Sequence, residues 1–87
     1  MRSVEYTRHA KDKFDILNRH GFVVTLEQVE ETVLHPEKVI LQPGGRFVPQ
    51  KGITERHVLR VVYRQQGDTR VVITFYPGRR ERYEDQL

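Results

Sequence analysis

Two runs near the C-terminal end constrain the fold most: His57 to Gln65 and Arg70 to Tyr76. Each is rich in β-branched residues and lacks Gly and Pro, and Gln66-Gly67-Asp68-Thr69 joins them, the signature of a β-hairpin. Val and Ile together number 16, against 6 Leu and 1 Ala, so a large share of the chain is expected to be sheet.

Side chains alternate faces along a strand. Leu59 and Val61 on the first strand, with Val71, Ile73 and Phe75 on the second, form the expected buried set. Val58, Arg60, Val62 and Arg64, with Arg70, Val72, Thr74 and Tyr76, are expected to share the open face. That division is a parity constraint, because a one-residue slip sends every side chain to the other face. A two-residue Gly67-Asp68 turn would pair even with odd positions and is excluded unless a bulge intervenes. A three-residue loop sets Arg60 opposite Tyr76, and a five-residue loop sets it opposite Thr74.

Upstream, the pattern turns helical. Thr7 is an N-cap for Arg8 to Arg19, Ala10, Phe14 and Leu17 share one face, and Gly21 stands at the C-terminal cap. Thr25 and Gln28 form a capping box, with Val24 and Val29 as its hydrophobic staple. Leu26, Val29, Val33 and Leu34 form the second helix's buried stripe, which Pro36 ends. Val4 and Tyr6 form a short strand or lead-in, and Lys38 to Gln42 reads as a strand before the Pro43-Gly44-Gly45 turn. Arg46 to Val48 is a short strand blunted by Pro49, and Pro77-Gly78 breaks the last strand. The expected architecture is α+β: two N-terminal helices on one face of a three- to four-stranded, mainly antiparallel sheet.

At 87 residues the chain fits one domain, spanning 1–87, with a thin core. It has no cysteine, which excludes disulfides, thiolate nucleophiles and cysteine-ligated metals. Neither a membrane-length apolar run nor a signal-peptide core occurs, so a soluble cytoplasmic protein is expected. The four His lack metal-ligand spacing, and no cofactor motif is present.

Charge is unevenly placed. Residues 1–45 hold 6 basic and 7 acidic side chains, residues 46–83 hold 9 and 3, and Glu84 and Asp85 follow. Eight of the nine cations in the basic segment are Arg, whose planar fork matches phosphate oxygens in pairs. An Arg-rich sheet carrying Arg60, Arg64, Thr74 and Tyr76 over valines suits a phosphodiester, and equally suits a solvated sheet face. Arg79, Arg80 and Arg82 with Tyr83 form a basic–aromatic tail that can clamp a backbone and stack a base, or simply be a solvated end. His9, in the first helical turn, is a candidate general acid or base, or a surface His. His57 reads as a core or rim residue, and His20 and His35 flank helix ends.

Several short motifs lie in a characteristic order: His9-Ala10, Arg19-x-Gly21-Phe22, Thr25-x-x-x-Val29, Leu34-x-Pro36-Glu37, Leu59-x-Val61-Val62 and Val72-Ile73-Thr74-Phe75-Tyr76. In this the chain resembles the DUF4258 family, itself similar to RelE/ParE-type toxins and the wider barnase- and RelE-like small nucleases. The resemblance implies a RelE-like fold and a metal-independent mRNA endoribonuclease of a toxin–antitoxin pair. Its RNA is often ribosome-bound, and an antitoxin covers its basic surface. Carried over by position, His9, Arg60, Thr74 and Tyr76 fall on matched motifs, and Arg79 and Tyr83 lie just beyond. The resulting expectation is that Arg60 and Arg79 hold the scissile phosphate and His9 or Tyr83 moves protons. Arg64, Thr74, Tyr76 and Arg80 would bind substrate. The chain departs from RelE in carrying arginine where RelE strands carry lysine, with Lys51 nearby, and in the spacing of its C-terminal tyrosine. The alternative is a non-catalytic module: a ParE-like inhibitor of a protein target or a stand-alone nucleic-acid binder.

Overall fold

The computed structural model describes residues 3–84. The elements run β1 (Ser3–Tyr6), α1 (Arg8–Arg19), α2 (Leu26–Leu34), β2 (Lys38–Gln42), β3 (Arg46–Gly52), β4 (His57–Gln66), β5 (Thr69–Arg79) and α3 (Arg80–Glu84). The strands form one mixed sheet in the order β1-β5-β4-β3-β2. The α+β class is as expected, but the sheet has five strands, because residues 3–6 add β1 parallel to β5.

Local chemistry sets the helix ends. The Thr7 hydroxyl accepts from the Ala10 N–H at 3.1 Å and donates to the Ile73 carbonyl at 3.1 Å, so one residue caps α1 and ties it to the sheet. After α1, Gly21 turns the chain at φ 81°, and the Phe22 N–H returns to the Leu17 carbonyl. Both hydrogen bonds of the Thr25–Gln28 capping box are present. α2 buries Val29, Thr32 and Val33, whereas Leu26 is about half exposed. Leu26 opens the helix, ahead of the turns that reach the sheet, and so falls outside the expected stripe.

Both prolines expected to end strands lie within them. β3 runs through Pro49, and its ladder with β4 is interrupted at Val48 and Pro49, where the ring removes a donor. β5 runs through Pro77 to Arg79. Beyond Val72 it is no longer paired by β1, so Pro77 sits on an edge, where a missing N–H is tolerated.

The hairpin solves the parity problem with both devices at once. Gln66 pairs with Thr69 across a two-residue Gly67-Asp68 turn, and the β4–β5 register shifts between Val62 and Tyr63. Val62 pairs with Thr74 but Tyr63 with Val72, which leaves Ile73 as the extra residue of a bulge. Arg60 therefore faces Tyr76, as a three-residue loop would have placed it. The expected faces of β5 hold only beyond the bulge. Before it they are exchanged: Val72 joins the helix-side core and Val71 pairs with Arg64. Arg70 also turns to the helix side, donating to the Val33 carbonyl at 2.8 Å and lying over the Tyr63 ring.

On the helix side Ala10, Val24, Val29, Val33, Leu59, Val61, Tyr63, Val72 and Phe75 form one buried cluster. Phe14 bridges Tyr6 and Phe75, with ring centroids 6.2 and 4.6 Å apart. The other face is not the open one that was expected. Val48, Val58 and Val62 are buried there, and α3 folds back across its end.

Candidate nucleic-acid interface

The register arranges the second face in cross-strand rows. Gly52, Val58 and Gly78 make the first; Lys38, Gln50, Arg60 and Tyr76 the second. Ile40, Val48, Val62 and Thr74 follow, then Gln42, Arg46, Arg64 and Val71. The apolar third row separates two rows that carry arginine.

The two glycines leave a shallow recess that α3 fills. A Cβ on Gly52 would meet the Arg80 guanidinium, and one on Gly78 would meet the Tyr83 ring. Arg80 donates from Nε to the Glu55 carbonyl (3.1 Å), from Nη2 to the Thr54 carbonyl (2.8 Å) and from its backbone N–H to the Arg56 carbonyl (2.7 Å). The Arg80 guanidinium thus fastens α3 to the β3–β4 loop.

Arg60 lies at the centre. Its guanidinium carbon is 4.5 Å from the Tyr83 ring centroid and 5.9 Å from that of Tyr76, both within cation–π range. Its Nε is buried without a hydrogen-bond partner, and among the described residues no carboxylate pairs with it. Beside it Gln50 is only 5% exposed, and its Oε1 also lacks a partner. A donor and an acceptor are thus both left unsatisfied on adjacent strands, a costly arrangement for a face with no ligand.

His9 reaches this face from the edge. β1 pairs with β5 only as far as Val72, and α1 begins beside the uncovered stretch. There His9 Nε2 lies 3.2 Å from the Thr74 hydroxyl. Arg46 and Arg64 face each other across β3 and β4, both exposed, with no ion pair among the described residues. Like charges opposite one another cost stability, and an anion between them would remove that cost.

The sequence-derived set thus separates. Arg60, Arg64, Thr74, Tyr76 and Tyr83 share the second face, and His9 meets it at Thr74. Arg79 does not. It pairs with His57 and alternates with Pro77 and Phe75, which assigns it to the helix-side parity, and it lies 4.0 Å from Glu81. Arg80, expected to bind substrate, is engaged by the Glu55 and Thr54 carbonyls of the β3–β4 loop. Arg82 is exposed, and the acidic Asp85 lies outside the described residues. His57 is a rim residue, with its Nδ1 3.2 Å from the Thr54 hydroxyl and its ring edge-on to Phe22. Sequence reasoning missed Gln50 and Arg46. With a strand expected to end before Pro49, Gln50 had no face assignment, and Arg46 had no strand partner assigned to it.

Elsewhere, a cavity of about 400 Å³ lies between α2 and β3, lined by Glu27, Gln28, Glu31, Thr32, Lys51 and Ile53 among others. Lys51 spans it, bonded to Glu31 and the His35 carbonyl. Among the described residues no three His, Cys, Asp or Glu are grouped to hold a metal ion, and no helix is long and apolar enough to cross a membrane. No family model matches the chain, and neither the curated proteins nor the solved structures contain a match.

Proposed function

We propose that the second sheet face binds single-stranded RNA and cleaves it without a metal, as a RelE-like, cytoplasmic toxin held in check by an antitoxin. The carrying observation is Arg60: a guanidinium within reach of two tyrosine rings, its buried Nε–H unpartnered, with no carboxylate pairing with it among the described residues. A phosphate oxygen supplies the missing acceptor and a base can replace a tyrosine neighbour by stacking. Arg46 and Arg64 extend the track for the backbone.

In this reading the ribose 2′-OH attacks the adjacent phosphorus and the 5′-oxygen leaves. A 2′,3′-cyclic phosphate forms, while Arg60 stabilises the charge that builds on the phosphoryl oxygens. His9 or Tyr83 takes the 2′-OH proton or supplies one to the leaving oxygen. Thr74 orients His9 through their 3.2 Å contact, and Tyr76 positions the guanidinium.

The test is incubation with RNA in excess chelator, with and without ribosomes, followed by analysis of end groups. Cyclic phosphate ends that vanish in Arg60→Ala and persist in Arg79→Ala are the expected result. Absence of cleavage in both settings, or equal cleavage by Arg60→Ala, overturns the catalytic reading. A second reading, a non-catalytic module that binds a protein target, is favoured by β2. This edge strand presents Val39 and Leu41 to solvent on one face. Growth arrest on expression with RNA left intact would select it.

A further inference from the structure

We infer that Gln50 accepts a hydrogen bond from a ribose 2′-hydroxyl and makes this face selective for RNA over DNA. This rests on the nucleic-acid reading above and adds a residue to it. Gln50 is register partner to Arg60, and its Oε1 and the Arg60 Nε are both buried and unpartnered. One is an acceptor and the other a donor. A ligand that presents a hydroxyl or N–H donor beside an anionic or carbonyl acceptor satisfies both at once. A ribonucleotide presents that pair at its 2′-hydroxyl and adjacent phosphate, whereas a deoxyribonucleotide offers the phosphate alone. The buried Val48 and Val62 of the next row flank the pair with an apolar wall and keep competing water away.

Access to the pair runs through α3. Its Arg80 lies on Gly52, two residues along β3 from Gln50, and its Tyr83 lies on Arg60. Ligand entry therefore requires the Tyr83 ring to move off the Arg60 guanidinium, and the ligand then supplies the bonds that the pair lacks.

The experiment measures fluorescence anisotropy of one labelled ten-nucleotide sequence as RNA, as DNA and as 2′-O-methyl RNA, within a window in which gels show the RNA intact. The wild-type protein is expected to bind RNA about tenfold more tightly than either analogue, the usual scale for one buried hydrogen bond. Gln50→Leu should bring RNA down to the DNA level and leave DNA affinity unchanged. Equal binding of RNA and DNA by the wild type, lost in Arg60→Ala, overturns the inference while the nucleic-acid reading stands. An RNA preference that survives in Gln50→Leu also overturns it, since another group then reads the 2′-hydroxyl. If circular dichroism finds Gln50→Leu unfolded, the wild type's 2′-O-methyl arm decides: affinity equal to that for unmodified RNA overturns the inference. Binding of none of the three oligomers overturns both readings together.

Discussion

On the helix side of the sheet, Leu59, Val61, Tyr63, Val72 and Phe75 meet two helices through apolar contacts and the Phe14–Phe75 ring pair. On the other side, Val48, Val58 and Val62 are just as well shielded, yet the groups among them are Gln50, Arg60 and Tyr76. The first face satisfies its buried polar groups with one exception, the Tyr6 hydroxyl: Arg70 reaches the Val33 carbonyl, and Thr7 both caps a helix and bonds to β5. The second leaves a donor and an acceptor without partners under a five-residue helix. A face built for stability pairs what it buries, whereas unsatisfied groups on a shielded face mark where something else is to bind.

Substitutions on each face test that contrast. The largest effect belongs to Phe75→Ala, which empties a fully buried ring site between Phe14 and the sheet. It should cost about 3–5 kcal/mol, a large part of a total on the order of 5–15 kcal/mol, measured by urea denaturation. Arg60→Ala should change stability by only about 1 kcal/mol while weakening RNA binding at least about tenfold. An equal stability loss in both variants would erase the distinction between the faces.

Gly78→Ala acts between these two. Its Cβ would occupy space held by the Tyr83 ring, so α3 should detach and leave the core intact. The Arg80 amide, bonded to the Arg56 carbonyl at 2.7 Å, should then exchange with solvent deuterium at least about tenfold faster, with core amides unchanged. Unchanged exchange at Arg80 would mean that Tyr83 does not hold α3 in place.

The smallest effect sharpens the comparison by exception. Tyr6, near the helix-side cluster, has a buried hydroxyl with no partner, and burial, aided by the Glu30 charge, raises its pKa to about 12. Its ordinary value is near 10, so the folded state holds the proton more tightly than the unfolded chain does. The resulting stability is fully present below about pH 10 and is lost as pH rises through about 12. Tyr6→Phe should remove that alkaline dependence and raise stability at neutral pH by about 1 kcal/mol, read from thermal melts across pH. Persistence of the alkaline loss in Tyr6→Phe would assign it to another group.

Local rules made much of this fold legible. Thr7, Gly21, Thr25 with Gln28, and Pro36 act within four or five residues of themselves, and each marks a boundary that the structure keeps. Strand ends at Pro49 and Pro77 were misjudged, because whether a missing N–H matters depends on which neighbour lies alongside. The same dependence left β1 open as a short strand or a lead-in, since its four residues become a strand only against β5. Parity narrowed the partner of Arg60 to Tyr76 or Thr74, and the register selects Tyr76. The Arg60–Tyr83 contact was not readable, since it depends on α3 folding back over two glycines, and Gln50 became visible only once β3 was seen to continue past Pro49.

The bulge at Ile73 can be restated as a matter of insertions and deletions. One extra residue in the Gly67-Asp68 turn, or one extra residue within β5, each brings Arg60 opposite Tyr76; the protein uses the second. Absorbing the extra residue in a three-residue Gly67-Asp68-Thr69 turn, with the sequence unchanged and no bulge at Ile73, would preserve the row containing Arg60. It would also rotate Arg70 and Val72 out of the helix-side core and send Val71 into it. The two registers share the row that carries Arg60 and differ in the packing beneath the helices, so a slip in this hairpin disturbs the core before it reaches that row.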